Sequence, residues 1–162
     1  MPHNITIRPA IPEDAGIILT FIRDLAAYEK LSDQVQATEE DVLCSLFGEK
    51  PDAECLLAED DEGVQGFAIY FHNFSTFLSR SGIYLEDLYV RPEARGQGIG
   101  KSLLEKLAAI AIERGCTRLE WAVLNWNQSA IGFYESLGTK ILDDWRLCRI
   151  EGEKLSRLAE GN

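Results

Sequence analysis

The most informative stretch of this sequence is Leu88-Tyr89-Val90-Arg91-Pro92-Glu93-Ala94-Arg95-Gly96-Gln97-Gly98-Ile99-Gly100-Lys101-Ser102. It indicates a strand that runs into a glycine-rich loop, and the loop opens a helix. Glycines let a backbone approach a ligand closely, and the free N–H groups at a helix start favour phosphate oxygens. The stretch therefore predicts a site for a phosphorylated cofactor. The alternative is a glycine-rich helix entry that holds no ligand.

Spacing excludes two common nucleotide-binding motifs. A P-loop requires a glycine five residues before Gly100, where this chain has Arg95. A dinucleotide fingerprint requires G-x-G-x-x-G, whereas Gly96, Gly98 and Gly100 alternate and are followed by Lys and Ser. The loop therefore belongs to neither class.

The rest of the chain alternates strand-like and helix-like patterns. Strands are expected at about 5–8, 55–59, 64–71, 83–90 and 118–123, with a final pair or one bent strand over 140–150. Helices are expected up to about Tyr28, after a cap at Thr38, from Gly98 to Arg114, and from Gln128 to Leu137. Gly115 and Gly138 stop the last two. This order predicts an α/β fold, a mixed sheet with helices on both faces.

The length and the charge of the chain limit the number of domains and the kinds of partner. A chain of 162 residues without repeats or linkers fits one domain, here taken as residues 1–162. The formal net charge is −11, from 27 acidic and 16 basic residues, which argues against nucleic acid as a partner. No apolar run is long enough for a membrane span, and the first residues lack the pattern of a signal peptide. A cytoplasmic protein without membrane contacts is expected.

The cysteines do not indicate a metal site. They contain no Cys-x-x-Cys pair, and only His3 and His72 could join them as ligands. We therefore expect no metal, and reduced thiols at Cys44, Cys55, Cys116 and Cys148.

Two segments of this sequence resemble the signatures of the GNAT superfamily of N-acetyltransferases. The run 95–100 is similar to the family's pyrophosphate motif, and 127–138 is similar to its second signature. The resemblance narrows to the diamine (spermidine/spermine) and thialysine acetyltransferases and covers nearly the whole chain. One departure is Phe77-Leu78, where the polyamine enzymes carry a Trp. The resemblance implies a mostly antiparallel sheet splayed at the cofactor site, acetyl-CoA as co-substrate, and a homodimer.

The resemblance also implies which residues hold acetyl-CoA. The backbone of Leu88 and Val90 would hold the pantetheine arm, with a backbone N–H near Leu88 as a one-donor oxyanion hole. Tyr134 would be the proton donor to the departing thiolate. The full set of implied acetyl-CoA contacts is Leu88, Tyr89, Val90, Arg95, Gly96, Gln97, Gly98, Ile99, Gly100, Lys101, Asn127, Ala130, Phe133 and Tyr134.

The acceptor amine must lose a proton before it can attack. A lysine-like ammonium with a pKa of about 10.4 is neutral in only roughly one molecule in 2,500 at pH 7. The resemblance implies that Glu86, at the position of the family's carboxylate, is the candidate base, or else that it only pairs with the ammonium. Asp87 follows on the same strand, so both carboxylates face the cleft only if the strand is bulged. The other acceptor-lining residues that the resemblance implies are Tyr28, Glu29, Asp143, Asp144 and Trp145.

The sequence therefore predicts an acetyl-CoA-dependent N-acetyltransferase that acts on the primary amine of a small cationic acceptor, by direct attack in a ternary complex. The acceptor classes are diamines, polyamines and lysine-like amino acids. Two alternatives stay open: a protein N-terminal or lysyl acetyltransferase, and a non-catalytic acyl-CoA-binding domain. The second alternative has no need of Glu86 and Tyr134.

Overall fold

The computed structural model describes residues 4–161, so His3, one of the two histidines in the metal argument, lies outside the described residues. The chain divides into two compact units, which meet in sequence between Ala122 and Val123. The first unit contains β1 (Thr6–Pro9), α1 (Ala15–Tyr28), α2 (Glu39–Phe47), β2 (Glu54–Asp60), β3 (Gly63–Ser75), β4 (Arg80–Val90), α3 (Ile99–Glu113) and β5 (Leu119–Glu120). The second contains α4 (Gln128–Ser136) and α5 (Glu153–Ala159).

The five strands form one sheet in the order β1-β2-β3-β4-β5. The pairs from β1 to β4 are antiparallel, and β5 is parallel to β4. The β4–β5 ladder contains only the pairs Ile83–Leu119 and Tyr84–Glu120. Among the described residues, the outer edge of β4 from Leu85 to Val90 therefore has no strand partner. This opening agrees with the expected splay, and the predicted mixed, mostly antiparallel fold is confirmed.

A β-bulge interrupts β4 at Glu86. Tyr70 of β3 lies opposite Leu85, and the next residue back, Ile69, lies opposite Asp87, so Glu86 has no partner in the ladder. The extra residue shifts the alternation of side chains along the strand. Ile83 and Leu85 point to one face of the sheet, whereas the side chain of Asp87, two positions on, points to the other.

The sheet buries apolar side chains on both faces. On one face, alternate residues of β2 and β3 pack with α1 and α2, and the buried members are Ile18, Phe21, Val42, Cys55, Leu57, Phe67 and Ile69. The residues of β2 and β3 that alternate with these point to the other face of the sheet, where α3 lies. A Cβ built on Gly66 would lie 3.4 Å from Cγ2 of Ile99, which shows how closely α3 approaches β3. The prediction of helices on both faces is confirmed.

The helix ends follow the predicted capping residues. Oγ1 of Thr38 accepts a hydrogen bond from the Asp41 N–H at 3.2 Å, and the Asp41 carboxylate accepts one from the Thr38 N–H at 2.8 Å, which forms a capping box. Gly115 and Gly138 both adopt positive φ after α3 and α4, as predicted. At Gly115 the N–H bonds back to Ile112 and the next N–H bonds to Ala111, the pattern of a Schellman motif.

The second unit departs from the prediction. The prediction of strands over 140–150 is wrong, because this segment forms no strand and pairs with no strand within residues 4–161. Its apolar residues do not alternate strictly, and all but Ile141 are exposed, so no neighbouring strand completes the backbone hydrogen bonds that a strand needs. Helix α5 was not predicted. The strand expected at 118–123 is also shorter, since only Leu119–Glu120 pairs.

Candidate acetyltransferase site

The glycine loop leaves open space and free donors at the start of α3. Gly96 and Gly98 have φ of 78° and 81°, a conformation that other residues adopt only with strain. A Cβ on either glycine would have no atom within 4 Å, so the space beside them is open. Gly98 caps α3 without any side-chain hydrogen bond. The first N–H groups of α3 therefore have no acceptor within the helix and are available to an anion.

Arg95 is held firmly although its side chain is exposed. Its Nε donates to the Val90 carbonyl at 2.9 Å. The guanidinium carbon lies 5.0 Å from the ring centre of Tyr28 and 5.5 Å from that of Tyr89. Tyr89 itself is buried and packs against Phe21. Arg95 therefore connects the loop to the end of α1, and Tyr28, expected on the acceptor side, contacts a residue of the glycine-rich loop.

The open edge of β4 supplies main-chain groups. Leu88 and Val90 lie on the part of β4 that β5 does not cover. Tyr89 is buried among the core residues, so only its backbone could reach a cofactor. The side chain of Ile99 is buried as well. Lys101 is exposed and pairs with Glu105 at 3.7 Å.

The bulge places Glu86 and Asp87 on the same side of the sheet as Glu29, the residue that ends α1. Burial raises the pKa of Glu29, and the charge of Glu86 adds to the rise. Burial raises the pKa of Asp87 to about 6, with further contributions from Glu86 and Glu29. The strand is therefore bulged, which is the condition under which Glu86 and Asp87 both face the same side of the sheet. Three like charges lie within electrostatic reach of one another, and a cation bound among them would relieve their repulsion.

The second unit carries the remaining predicted site residues. The Asn127 side chain caps α4 by accepting a hydrogen bond from the Ala130 N–H at 3.3 Å. The rings of Phe133 and Tyr134 lie 5.5 Å apart. Asp143 and Asp144 lie in a turn that the Trp145 N–H closes on the Leu142 carbonyl, and the Trp145 side chain is 80% exposed. These exposed positions agree with a solvated turn.

The sequence interpretation did not identify the bulge, although the sequence carries a sign of it. The aliphatic residues of β4 occupy positions 83 and 85 and then 88 and 90, so their phase changes at Glu86-Asp87. The contact between Tyr28 and Arg95 was also missed. The two residues are 67 positions apart, and no local pattern joins them.

Comparison with known proteins agrees with this geometry. Residues 21–139 match the model of the acetyltransferase (GNAT) family. A thialysine N-epsilon-acetyltransferase of Bos taurus is 45% identical over 96% of this chain and 97% of its own length. An L-ornithine N5-acetyltransferase of Arabidopsis thaliana is 31% identical over 96% of this chain and 88% of its own.

A solved structure extends the likeness to the fold. An integron cassette protein from the mobile metagenome of V. cholerae superposes with a TM-score of 0.81, at 30% identity over 99% of both chains. The chain belongs to the GNAT family, and the predicted family is confirmed. It is an N-acetyltransferase, an enzyme that transfers acetyl groups to amine acceptors. No helix among the described residues is long and apolar enough to cross a membrane.

Proposed function

We propose that this enzyme transfers an acetyl group from acetyl-CoA to the side-chain amine of a small, lysine-like amino acid, by direct attack in a ternary complex. The observation that carries the proposal is the acidic side of the sheet, where Glu29, Glu86 and Asp87 adjoin the open edge of β4. A primary ammonium is the complementary charge for such a group. The net charge of −11 also favours approach of a cation.

The glycine loop fits the pyrophosphate of acetyl-CoA. The open space beside Gly96 and Gly98 and the uncapped start of α3 suit a phosphate group. Loop residues Arg95 to Lys101 would take the pyrophosphate, and the backbone of Leu88 and Val90 would hold the pantetheine arm. In the second unit, the residues assigned to acetyl-CoA by family resemblance are Asn127, Ala130, Phe133 and Tyr134.

Three groups would serve the reaction itself. A backbone N–H near Leu88 would donate to the thioester oxygen as negative charge develops there, and such donors contribute roughly 3 kcal/mol. Glu86 would hold the acceptor ammonium, or act as base. Tyr134 would donate a proton to the departing thiolate. Tyr28, Glu29, Asp87, Asp144 and Trp145 would line the acceptor.

The names of the relatives support the proposed acceptor class, as the charge does. The names of two relatives over most of this chain specify amino acids acetylated at a side-chain amine, thialysine and ornithine. Diamines and polyamines present the same terminal ammonium and are tested beside them. Residues 1–162 would act as one catalytic domain, since the family match over residues 21–139 extends from the first compact unit into the second.

Two further properties are part of the proposal. The enzyme would act in the cytoplasm, where thiols stay reduced, because Cys44, Cys55, Cys116 and Cys148 are all free. It would act as a homodimer, which light scattering on the purified protein would test.

Initial-rate kinetics with acetyl-CoA and thialysine varied together test this function. Direct attack in a ternary complex predicts intersecting lines in a double-reciprocal plot. Parallel lines would indicate a covalent acetyl-enzyme. Acetyl-CoA binding without any release of free thiol would favour a non-catalytic acyl-CoA-binding domain.

A further inference from the structure

The bulge in β4 gives Glu86 and Asp87 different surroundings. Glu86 has no partner in the ladder and is exposed. Asp87 lies opposite Ile69, which in turn lies opposite Cys55, so the three form one row across the sheet. Ile69 and Cys55 are buried in the core on the α1 face. The Asp87 carboxylate therefore lies at the end of an apolar row, whereas Glu86 projects into solvent.

Building on the proposed function, we propose that Asp87 is the proton acceptor for the attacking amine and that Glu86 binds the acceptor ammonium. This assignment gives each of the two roles that were alternatives for Glu86 to a separate carboxylate. Asp87 immediately precedes Leu88, whose backbone is assigned to the thioester, so a base at position 87 adjoins the reacting carbonyl along the strand.

All protons of the acetyl-transfer step are accounted for. The ammonium transfers one proton to the Asp87 carboxylate, and the freed nitrogen lone pair attacks the thioester carbonyl carbon. The C–N bond forms, the C–S bond breaks, and the second proton lost by nitrogen ends on the thiol of CoA. Asp87 then releases its proton to water. The sum is ammonium plus thioester giving amide, free thiol and one proton.

The surroundings of Asp87 suit a base better than those of an exposed carboxylate. Its pKa of about 6, against the ordinary value of 3.8, makes proton transfer from the same amine about a hundredfold less unfavourable. The charged groups nearby are Glu86 on the same strand and Glu29 at the end of α1. On β2, burial raises the pKa of the Cys55 thiol to about 12, so this group stays neutral.

The pH dependence of kcat/KM for a lysine-like amino acid, at saturating acetyl-CoA, tests the assignment. With a base on the enzyme, kcat/KM rises through pH 6 and then stays level up to the pKa of the amine, about 10.4. Without one, only the neutral amine reacts, and kcat/KM rises tenfold per pH unit over that range. We expect the level profile for the wild type. We expect the continuous rise for Asp87→Asn, with a loss of about a hundredfold or more at pH 7 and a rate approaching the wild type near pH 10.

Glu86→Gln is the matched control, because it removes a carboxylate from the adjacent position. We expect a higher KM for the amine and a profile that stays level. Its acid limb should move to lower pH, because loss of a neighbouring negative charge lowers the pKa of Asp87. Asp87→Glu should restore part of the level region, and Asp61→Asn, in the exposed β2–β3 turn, should match the wild type.

A level profile in Asp87→Asn, a continuous rise in Glu86→Gln, or a continuous rise in the wild type would each overturn the assignment. If Asp87→Asn does not fold, as judged by the loss of its melting transition, the Glu86→Gln profile still decides. If the wild type acetylates no amine, the proposed function fails, which is a distinct result from failure of this assignment.

Discussion

The raised pKa that suits Asp87 to act as a base also makes its ionised carboxylate destabilise the fold. Burial raises the pKa of the Asp87 carboxyl, with smaller contributions from Glu86 and Glu29, so its ionised form destabilises the fold. Asp14 is the contrasting case. Arg8 donates to both of its oxygens, at 2.8 and 3.0 Å, and this pairing lowers the pKa of Asp14. The two aspartates should therefore respond to pH in opposite directions.

Replacing Asp87 with Asn should stabilise the protein at alkaline pH. Because the folded-state pKa of Asp87, about 6, exceeds the unfolded value of about 3.9, its contribution to stability is present below about pH 4 and is lost as the pH rises through 6. Asn cannot ionise and avoids that loss. At pH 8 the free energy of unfolding should rise by on the order of 2–3 kcal/mol, fading to little at pH 4. Guanidinium denaturation at both pH values measures the difference.

Asp14→Asn provides the matched control, since it removes a carboxylate whose folded-state pKa is lowered. Its contribution is present above pH 4 and is lost as the pH falls, so the variant should be destabilised more at pH 8 than at pH 3. An Asp87→Asn protein destabilised more at pH 8 than at pH 4 would show that the ionised carboxylate is favourably bonded, and a change equal at both pH values would show that the pKa of Asp87 is not raised by folding.

Tyr134→Phe should lower kcat by on the order of a hundredfold and leave the affinity for acetyl-CoA almost unchanged. The change keeps the ring and removes only the hydroxyl that would protonate or hydrogen-bond the departing thiolate. Such a bond strengthens as charge develops on sulfur, so it acts on the transition state more than on the bound thioester. A stopped-time thiol assay gives kcat. Wild-type turnover in a folded variant would remove Tyr134 from the mechanism.

Tyr28→Ala should weaken acetyl-CoA binding. The Tyr28 ring lies against the Arg95 guanidinium and restricts the loop that would take the pyrophosphate. Cation–π contacts at exposed sites contribute about 0.5–1 kcal/mol, so the dissociation constant should rise about two- to fivefold. Tyr28→Phe keeps the ring and should retain the affinity. If titration calorimetry finds the same affinity for Tyr28→Ala, the ring does not support the cofactor loop.

At the scale of elements, α3 has a glycine in the left-handed region at each end, and only one belongs to the candidate site. Gly98 begins the helix with φ of 81°, and Gly115 follows it with φ of 72°. Neither position has an atom within 4 Å of a built Cβ, so alanine at either should cause similar backbone strain, about 1–2 kcal/mol. A difference between the two variants in their response to acetyl-CoA should therefore come from ligand binding and not from backbone strain.

Acetyl-CoA should raise the melting temperature of the wild type and of Gly115→Ala, and much less that of Gly98→Ala. Binding to the folded state alone stabilises it by about 2.7 kcal/mol at a hundredfold excess over the dissociation constant. A Cβ at Gly98 would occupy the space that we propose for the phosphate. Differential scanning calorimetry with and without acetyl-CoA compares the three proteins. Equal shifts in both variants would place the pyrophosphate away from this loop.

The sequence predicted elements well where a local signal decides them. The stripe of Ile18, Phe21 and Leu25 predicted α1, and Thr38 predicted the start of α2, because capping and periodicity act within one or two turns. The segment 140–150 was mispredicted, since strand formation depends on a neighbouring strand and not on composition alone. The same difference applies to the candidate site. The loop glycines could be predicted from the sequence, whereas the proximity of Glu29 to Asp87 depends on how α1 packs on the sheet.

For the whole molecule, charge and fold both favour the proposed class of acceptor. The sheet opens along β4, a loop suited to phosphate follows that strand, and three carboxylates lie on the adjoining face. A small diffusible cation would fit these features. We therefore expect a free, small amine as the acceptor.

A thiol-release assay with acetyl-CoA and a matched panel of amines tests this claim most directly. The panel holds thialysine, lysine, ornithine, putrescine and spermidine, each at one concentration below saturation, together with a tripeptide that carries thialysine at its centre. We expect kcat/KM for free thialysine to exceed that for the tripeptide by at least about tenfold, which corresponds to about 1.4 kcal/mol of transition-state stabilisation. A tripeptide acetylated as fast as the free amino acid, or faster, would contradict it.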